Sequence, residues 1–306
     1  MFRVSKMLLA FSLLLLTLAG GVAAASENHV PTDQVYKIGE DVFGFTSGGG
    51  THSMFVIGEK NVVVFETFNP DHSKKLIRAV RSFTDKKITH AFQTHNHWDH
   101  AGGGQSFLDE GAETVMHELA AQWVAAHPRP DTVAGSTIWS GSRKDYDFGD
   151  FTVEMHYLGL NHGLGMTVFV VPEKKVAFIA DLVTPNRVMF TVVPDFNIGE
   201  WERSLGEILA LDFEVAVCSH TELPGEAAFK GCTKQHVSEE RQYIRDLRGA
   251  IIAKFEKGTG FYEIAEKIAL PQYAHWVGYD KWLEMNAYRL MLDLYMGPFP
   301  WVHNAN

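Results

Sequence analysis

Residues 94–103 read THNHWDHAGG, which sets three imidazoles and a carboxylate within six consecutive positions, His95 to His100. The run lies where a strand-like stretch gives way to a helix. In extended backbone, residues two apart share a face, so His95 and His97 can offer ring nitrogens to one ion. The turn that follows sends Asp99 and His100 in another direction, where they can hold a second ion, and Gly102, Gly103 and Gly104 permit the tight backbone. Zinc and similar divalent ions take imidazole nitrogens and carboxylate oxygens, and a catalytic site keeps one position open for water. Two ions therefore need further ligands from elsewhere in the chain.

The surrounding sequence alternates short apolar runs with amphipathic stretches. Residues 35–45, 53–57 and 61–66 read as strands, with a glycine-rich turn at 48–50. Residues 71–83 carry Leu76, Ile77, Val80 and Phe83 at helical spacing. Strands follow at 88–94 and 113–116, helices at 103–110 and 119–126, and a long irregular connection at 127–150. Three more strands are predicted at 151–157, 166–171 and 175–181, then a helix at 200–211 and a strand at 214–219. Such interleaving predicts an α/β fold of sheets covered by helices. Three ligand-type residues stand where strand patterns end: His162, Asp181 and His220. Ligands drawn from the same ends of several strands give a site a rigid base.

HNHWDH, followed by His162 in GLNHGLG, Asp181 in FIADLV and His220 in VCSHTELPG, resembles the metallo-β-lactamase superfamily from about residue 35 to 225. The resemblance implies a four-layer αββα sandwich with two divalent metal ions at its rim, zinc first, with iron or manganese also compatible. It implies one ion on His95, His97 and His162, the other on Asp99, His100 and His220, and Asp181 bridging them. Two departures from the family pattern, Glu66 for the usual Asp and Ser219 for a common Gly before the last His, fall on positions that are not ligands there. His52, His90, His117 and His156 read as ordinary residues, although His52 could overlook the site.

Two ions sharing one water would lower its pKa toward neutrality and yield hydroxide for attack on a polarised carbonyl. Asp99 could pass a proton. By the resemblance, β-lactamases generally carry Cys or Ser at the position of Asp181, and one subclass a Lys where Thr184 stands. Asp181 instead matches lactonases and hydroxyacylglutathione hydrolases, and a His at position 97 argues against the redox diiron members, which carry Glu. The expectation is a hydrolase of a small-molecule ester or lactone, with a β-lactamase as alternative and a non-catalytic metal-binding accessory protein as second alternative. Trp98, Trp139, Met189, Phe190 and Phe196 are candidate walls of an apolar pocket, and Arg187 is the nearest cation for an anionic group.

Composition bears on partners. The 27 basic and 37 acidic side chains leave a net charge of −10, with no basic footprint for a nucleic acid. Arg3 and Lys6, the apolar run 7–18 and Ala23-Ala24-Ala25 read as a cleavable signal peptide over residues 1–25. That run is short of the ~20 apolar residues a spanning helix needs. A periplasmic or secreted protein with no stable membrane anchor is expected. Cys218 and Cys232 leave a disulfide and two free thiols equally open. The predicted divisions are a metallo-β-lactamase-like domain at 26–235 and a helical C-terminal extension at 236–306 packed on it. Trp282, Met285, Tyr288, Leu292 and Tyr295 form a helical stripe there, read as core, with homo-oligomerisation through it as the alternative.

Overall fold

The run NVVVF shows how the layers form. In a strand, successive side chains alternate faces. Val62 and Val64 join an apolar cluster with Leu76, Ile77 and Val80, while Val63 and Phe65 join a second cluster with Phe169 and Phe178. One strand therefore packs against a helix on one side and against another sheet on the other. The protein, a computed structural model, is described here over residues 33–48 and 50–300. The expected signal peptide lies outside these residues.

The first sheet runs in chain order through β1 (Gln34–Gly39), β2 (Val42–Thr46), β3 (His52–Ile57), β4 (Asn61–Phe65), β5 (Lys87–Phe92), β6 (Glu113–His117) and β7 (Thr137–Trp139). It is antiparallel as far as β4 and parallel from there. The second comprises β8 (Arg143–Asp147), β9 (Thr152–Tyr157), β10 (Thr167–Val171), β11 (Val176–Ala180) and β12 (Val215–Cys218), also in chain order. Helix α1 (Pro70–Arg81) covers the first sheet with its apolar face. Asn69 caps its first turn by accepting from the His72 amide, Pro70 starts it, and Arg78 and Arg81 stand in its last turn. Short helices α2 (Trp98–Ala101) and α3 (Gly104–Asp109) follow β5, and α4 (Glu118–Ala126) follows β6. Helix α5 (Ile198–Ile208) makes the crossover between the parallel strands β11 and β12, and buries Trp201, Leu205 and Ile208 on the second sheet. The result is an αββα sandwich. Helices α6 (Lys234–Glu256), α7 (Phe261–Glu266) and α8 (Tyr279–Met296) complete the described chain, and one apolar cluster runs from between the sheets into α6 and α8.

Strand direction places the site. Because β11 is antiparallel to β10 and β10 to β9, strands β9, β11 and β12 all point the same way. Their ends, preceding His162, Asp181 and His220, emerge at one rim. At that rim the two sheets are stitched together, since the His52 amide donates to the Ser219 carbonyl at 2.9 Å and Thr51 bridges to His220.

Several expectations need correction. The single strand at 35–45 is a hairpin turning at Glu40 and Asp41, with Asp41 at φ 57°. The irregular connection at 127–150 contains β7 and β8. The aromatic stripe of α8 is core only in part: Met285, Tyr288 and Tyr295 are exposed, Trp282 and Leu292 are partly buried with Trp282 packed on the core, and the buried face carries Leu283, Asn286, Ala287, Arg289, Leu290 and Met291. Among the described residues no helix is long and apolar enough to cross a membrane.

Cys218 and Cys232 are joined in a disulfide, and Cys232 exchanges both backbone hydrogen bonds with Ala216. The bond closes a loop with a sequence separation of 14 that begins beside His220. Replacing both cysteines by alanine is expected to lower stability by roughly 3 kcal/mol, the loop-closure value for about 15 residues, seen as a lower urea midpoint. An unchanged midpoint would show that the bond does not constrain the unfolded chain.

Candidate metal centre

His95 follows β5 and is fully buried. The Thr94 hydroxyl donates to Glu66, so it accepts from Nδ1 of His95, 2.8 Å away. That fixes the tautomer, leaving Nε2 of His95 as a free lone pair with no protein partner. His97 is oriented from its other side, with Nε2 2.7 Å from Oδ2 of Asp195. His162 finds no partner for either ring nitrogen. Its amide donates to Oδ1 of Asn161 at 2.7 Å, and Asn161 is anchored on Ser204 of α5. Gly163, at φ 58°, admits no side chain, since a Cβ would lie 2.7 Å from Oδ1 of Asn96 and 2.9 Å from Nε2 of His97.

Ligand atoms of His95, His97 and His162 all lie within 4.8 Å of one another, as do those of Asp99, His100 and His220. Asp181 stands between the trios, its Oδ2 3.1 Å from Nε2 of His100, 3.6 Å from His220 and 3.7 Å from His162. Burial, reinforced by the rings of His100 and His97, holds His95 well below the ordinary imidazole range, and burial with His97 does the same to His162. Neutral imidazole is the form that binds a metal. Burial also opposes the charge of Asp181, but His100 and His220 prevail and keep it ionised. Unpartnered buried nitrogens, a buried carboxylate oxygen on Asp181 without a partner, and nitrogen-rich donor sets together fit divalent ions of the zinc type.

Two carboxylates that sequence reading passed over orient these ligands. Glu66, at φ 75° and fully buried, places Oε2 3.1 Å from Nδ1 of His100 and accepts from Thr94. Asp195 does the corresponding work on His97. Glu66 also falls in a third trio with His95 and His100, but its oxygens are already engaged by Thr67, Thr94 and His100. The sequence signals available for Glu66 were its place at the end of a buried strand and its standing where the resemblance has Asp. His52 is bound to Tyr36 at 2.7 Å behind His220 and does not line the cavity.

A cavity of about 710 Å³ opens on His97, Asp99, His162, Asp181 and His220. Met189, Phe190, Val193, Phe196 and Trp201 make its apolar wall, and Thr184, Arg187 and Glu240 its polar part. Arg187 donates through Nη2 to Thr184 at 2.9 Å, while its buried Nε has no partner. Burial pushes the Glu240 carboxyl up to about 8, against the pull of Arg187. Met189, Phe190 and Phe196 thus line this cavity. Trp139 does not: it is 2% exposed, packs its ring on His117 and belongs to the core, because β7 turns it between the sheets. Trp98 lines an adjoining cavity with Trp123 and Arg129, which meets the first at His97, Asp99 and Asp195. Glu66→Gln and Asp195→Asn keep shape and remove the orienting charge, so each is expected to weaken metal binding about 10- to 100-fold in chelator competition. An affinity matching the unsubstituted protein would remove these carboxylates from the site.

The family model of the metallo-β-lactamase superfamily matches residues 46–220. The alpha subunit of 2,4-dinitroanisole O-demethylase from Nocardioides sp. (strain JS1661) is 28% identical over 174 residues, covering 56% of this chain and 53% of that protein. The chain thus spans about half the length of this relative. A metallo-β-lactamase from Pontibacter korlensis superposes with a TM-score of 0.58 at 18% identity, over 70% of this chain and 99% of that one. A sec-alkylsulfatase from Pseudomonas sp. superposes with a TM-score of 0.66 at 14% identity, over 90% of this chain and 52% of that one. With the family pattern covering more than half its length and the fold repeated in these structures, the chain belongs to the metallo-β-lactamase superfamily.

Proposed function

We propose that the protein is a dinuclear metal hydrolase acting on an ester or lactone with an apolar acyl arm. The observation that carries this reading is the convergence of seven ligand-type side chains, five of which line a mostly apolar cavity. In this reading His95, His97 and His162 hold one ion, Asp99, His100 and His220 the other, and Asp181 serves both. Zinc suits the donors best. The chemistry such ions supply is a water made nucleophilic near neutral pH and a polarised acyl carbonyl. The chain's residues do the rest. Phe196, with its ring centre 3.8 Å from that of His162, and Trp201 shield His162 from bulk water. Asp99, whose side chain is 72% exposed and borders both cavities, is placed to take a proton from the attacking water and return it to the leaving oxygen.

One observation favours the β-lactam reading: the unpartnered Nε of Arg187 in the cavity could meet a substrate carboxylate. The wall of Met189, Phe190 and Val193 weighs for the acyl ester or lactone. We take residues 26–235 as the hydrolase domain and 236–306 as an extension packed on it. We also infer export through a signal peptide at residues 1–25, a reading supported by the disulfide, since such bonds persist in oxidising compartments.

Metal analysis of the purified protein, with a panel of aryl esters, lactones, cephalosporins, thioesters, sulfate esters and phosphodiesters, tests the assignment. Aryl ester or lactone turnover is expected to exceed the others. Cephalosporin turnover far above it would transfer the reading to a β-lactamase. His97→Ala is expected to abolish turnover and reduce bound metal; unchanged activity and metal content would overturn the ligand assignment.

A further inference from the structure

The apolar wall of the cavity is a loop between β11 and α5 that carries unusual backbone. Thr191 sits at φ 51° and Val193 at φ 33°, left-handed values that β-branched residues rarely adopt. Such conformations persist only where surroundings over-determine them. Here the surroundings are α8. The side-chain amide of Asn286, fully buried, donates one proton to the Met189 carbonyl at 2.9 Å and the other to the Thr191 carbonyl at 2.6 Å. Its oxygen accepts from the Tyr243 hydroxyl of α6 at 2.7 Å. Nearby, Arg289 donates through Nε to the Val193 carbonyl at 3.2 Å and through Nη2 to that of Phe196. Just before the wall, the Val188 amide donates to Val277 and the Val277 amide to Asn186.

The two α8 side chains divide the loop between them. Arg289 holds the stretch that flanks Asp195, the partner of His97, so a change there would reach the metal ligands. Asn286 holds only Met189 and Thr191, which face the apolar part of the cavity. We propose that Asn286 is a positioning residue for the substrate: by fixing the Met189 and Thr191 carbonyls it sets the wall that selects an acyl arm by length. The proposal rests on the acyl hydrolase reading for its substrate class, and names the straight-chain acyl group as what that wall recognises.

The experiment measures how binding and turnover depend on chain length in the metal-loaded protein. Straight-chain carboxylates from butanoate to decanoate are titrated by calorimetry, and p-nitrophenyl esters of the same acids supply kcat/KM. Each methylene covered by the wall is expected to tighten binding about four-fold. In Asn286→Ala that increment is expected to fall below about two-fold per methylene while metal content stays unchanged. Tyr243→Phe is the control, because it removes a bond from the same amide but leaves both loop carbonyls held; its increment should match that of the unsubstituted protein. If Asn286→Ala does not fold, the isosteric Asn286→Asp, which keeps the acceptor for Tyr243 and lacks the two-proton donor, carries the same measurement. An unchanged increment in the Asn286 variant, an equal loss in Tyr243→Phe, or no chain-length dependence in the unsubstituted protein would overturn the proposal. Chain-length-dependent binding without turnover of any ester would overturn the hydrolase reading alone, and the two variants would still decide the role of Asn286.

Discussion

Taking His95, His100 and His162 out of water beside a nearly buried Asp181 is the interaction on which the rest of the molecule depends. Nε2 of His95, both ring nitrogens of His162 and Oδ1 of Asp181 have no protein partner. Each such atom sets about 1–3 kcal/mol against folding. The scaffold tolerates this because the ligands sit on the ends of largely buried strands. All five residues of β11, VAFIA, are out of water, and three strands of the second sheet end at the same rim. Divalent ions would return the lost coordination, so metal binding and stability are linked in this fold.

Orientation then matters as much as proximity. A ring nitrogen is aimed by what the other nitrogen bonds, and three different devices do this here. Thr94 and Glu66 act on His95 and His100 from beneath, inside the core. Asp195 acts on His97 from the solvent side, across the loop that walls the cavity. His162 has no such partner and is held instead by its own backbone and by the ring of Phe196. The first device belongs to the rigid sandwich. The other two depend on the loop before α5.

What could be read from the sequence follows the same division. HNHWDH was legible because its ligand-type residues are local, with the extended period pairing His95 and His97 and the turn after them diverting Asp99 and His100. Asp181 and His220 were legible because each follows a buried apolar run, VAFIA and VAVC, whereas His162 follows the mixed strand TVEMHY and was legible from the motif order of the resemblance. Glu66 and Asp195 are single acids whose roles exist only once distant segments meet. Strand β8, RKDYD, has an almost wholly exposed face pattern and rests on pairing with β9 and on ion pairs among Arg143, Asp145 and Glu154, so hydrophobic patterning passes over it. Trp139 misled for the opposite reason: a large aromatic on a short edge strand reads like a pocket wall and is core. In α8 the aromatic stripe drew attention to the exposed face, while the face that matters carries Asn286 and Arg289.

The buried polar pair in α8 adds to its apolar packing in fixing where a helix with Tyr288 and Tyr295 exposed is seated. A loop with left-handed Thr191 and Val193 leaves carbonyls pointing into the protein rather than at water. Those carbonyls need donors, and apolar packing cannot supply them. Asn and Arg on one helix face can, at a spacing of three residues that puts both on the same side. Asn286 therefore answers to Met189 and Thr191, and Arg289 to Val193 and Phe196 on either side of Asp195. Through Asp195 the second of these reaches His97. The helical extension, the cavity wall and one ligand of the candidate metal centre are thus joined by hydrogen bonds at either end of the backbone segment 193–196, while Asn286 touches the wall without touching the ligands. Wall and metal site are for that reason separable by mutation at α8, even though both are built from a single loop.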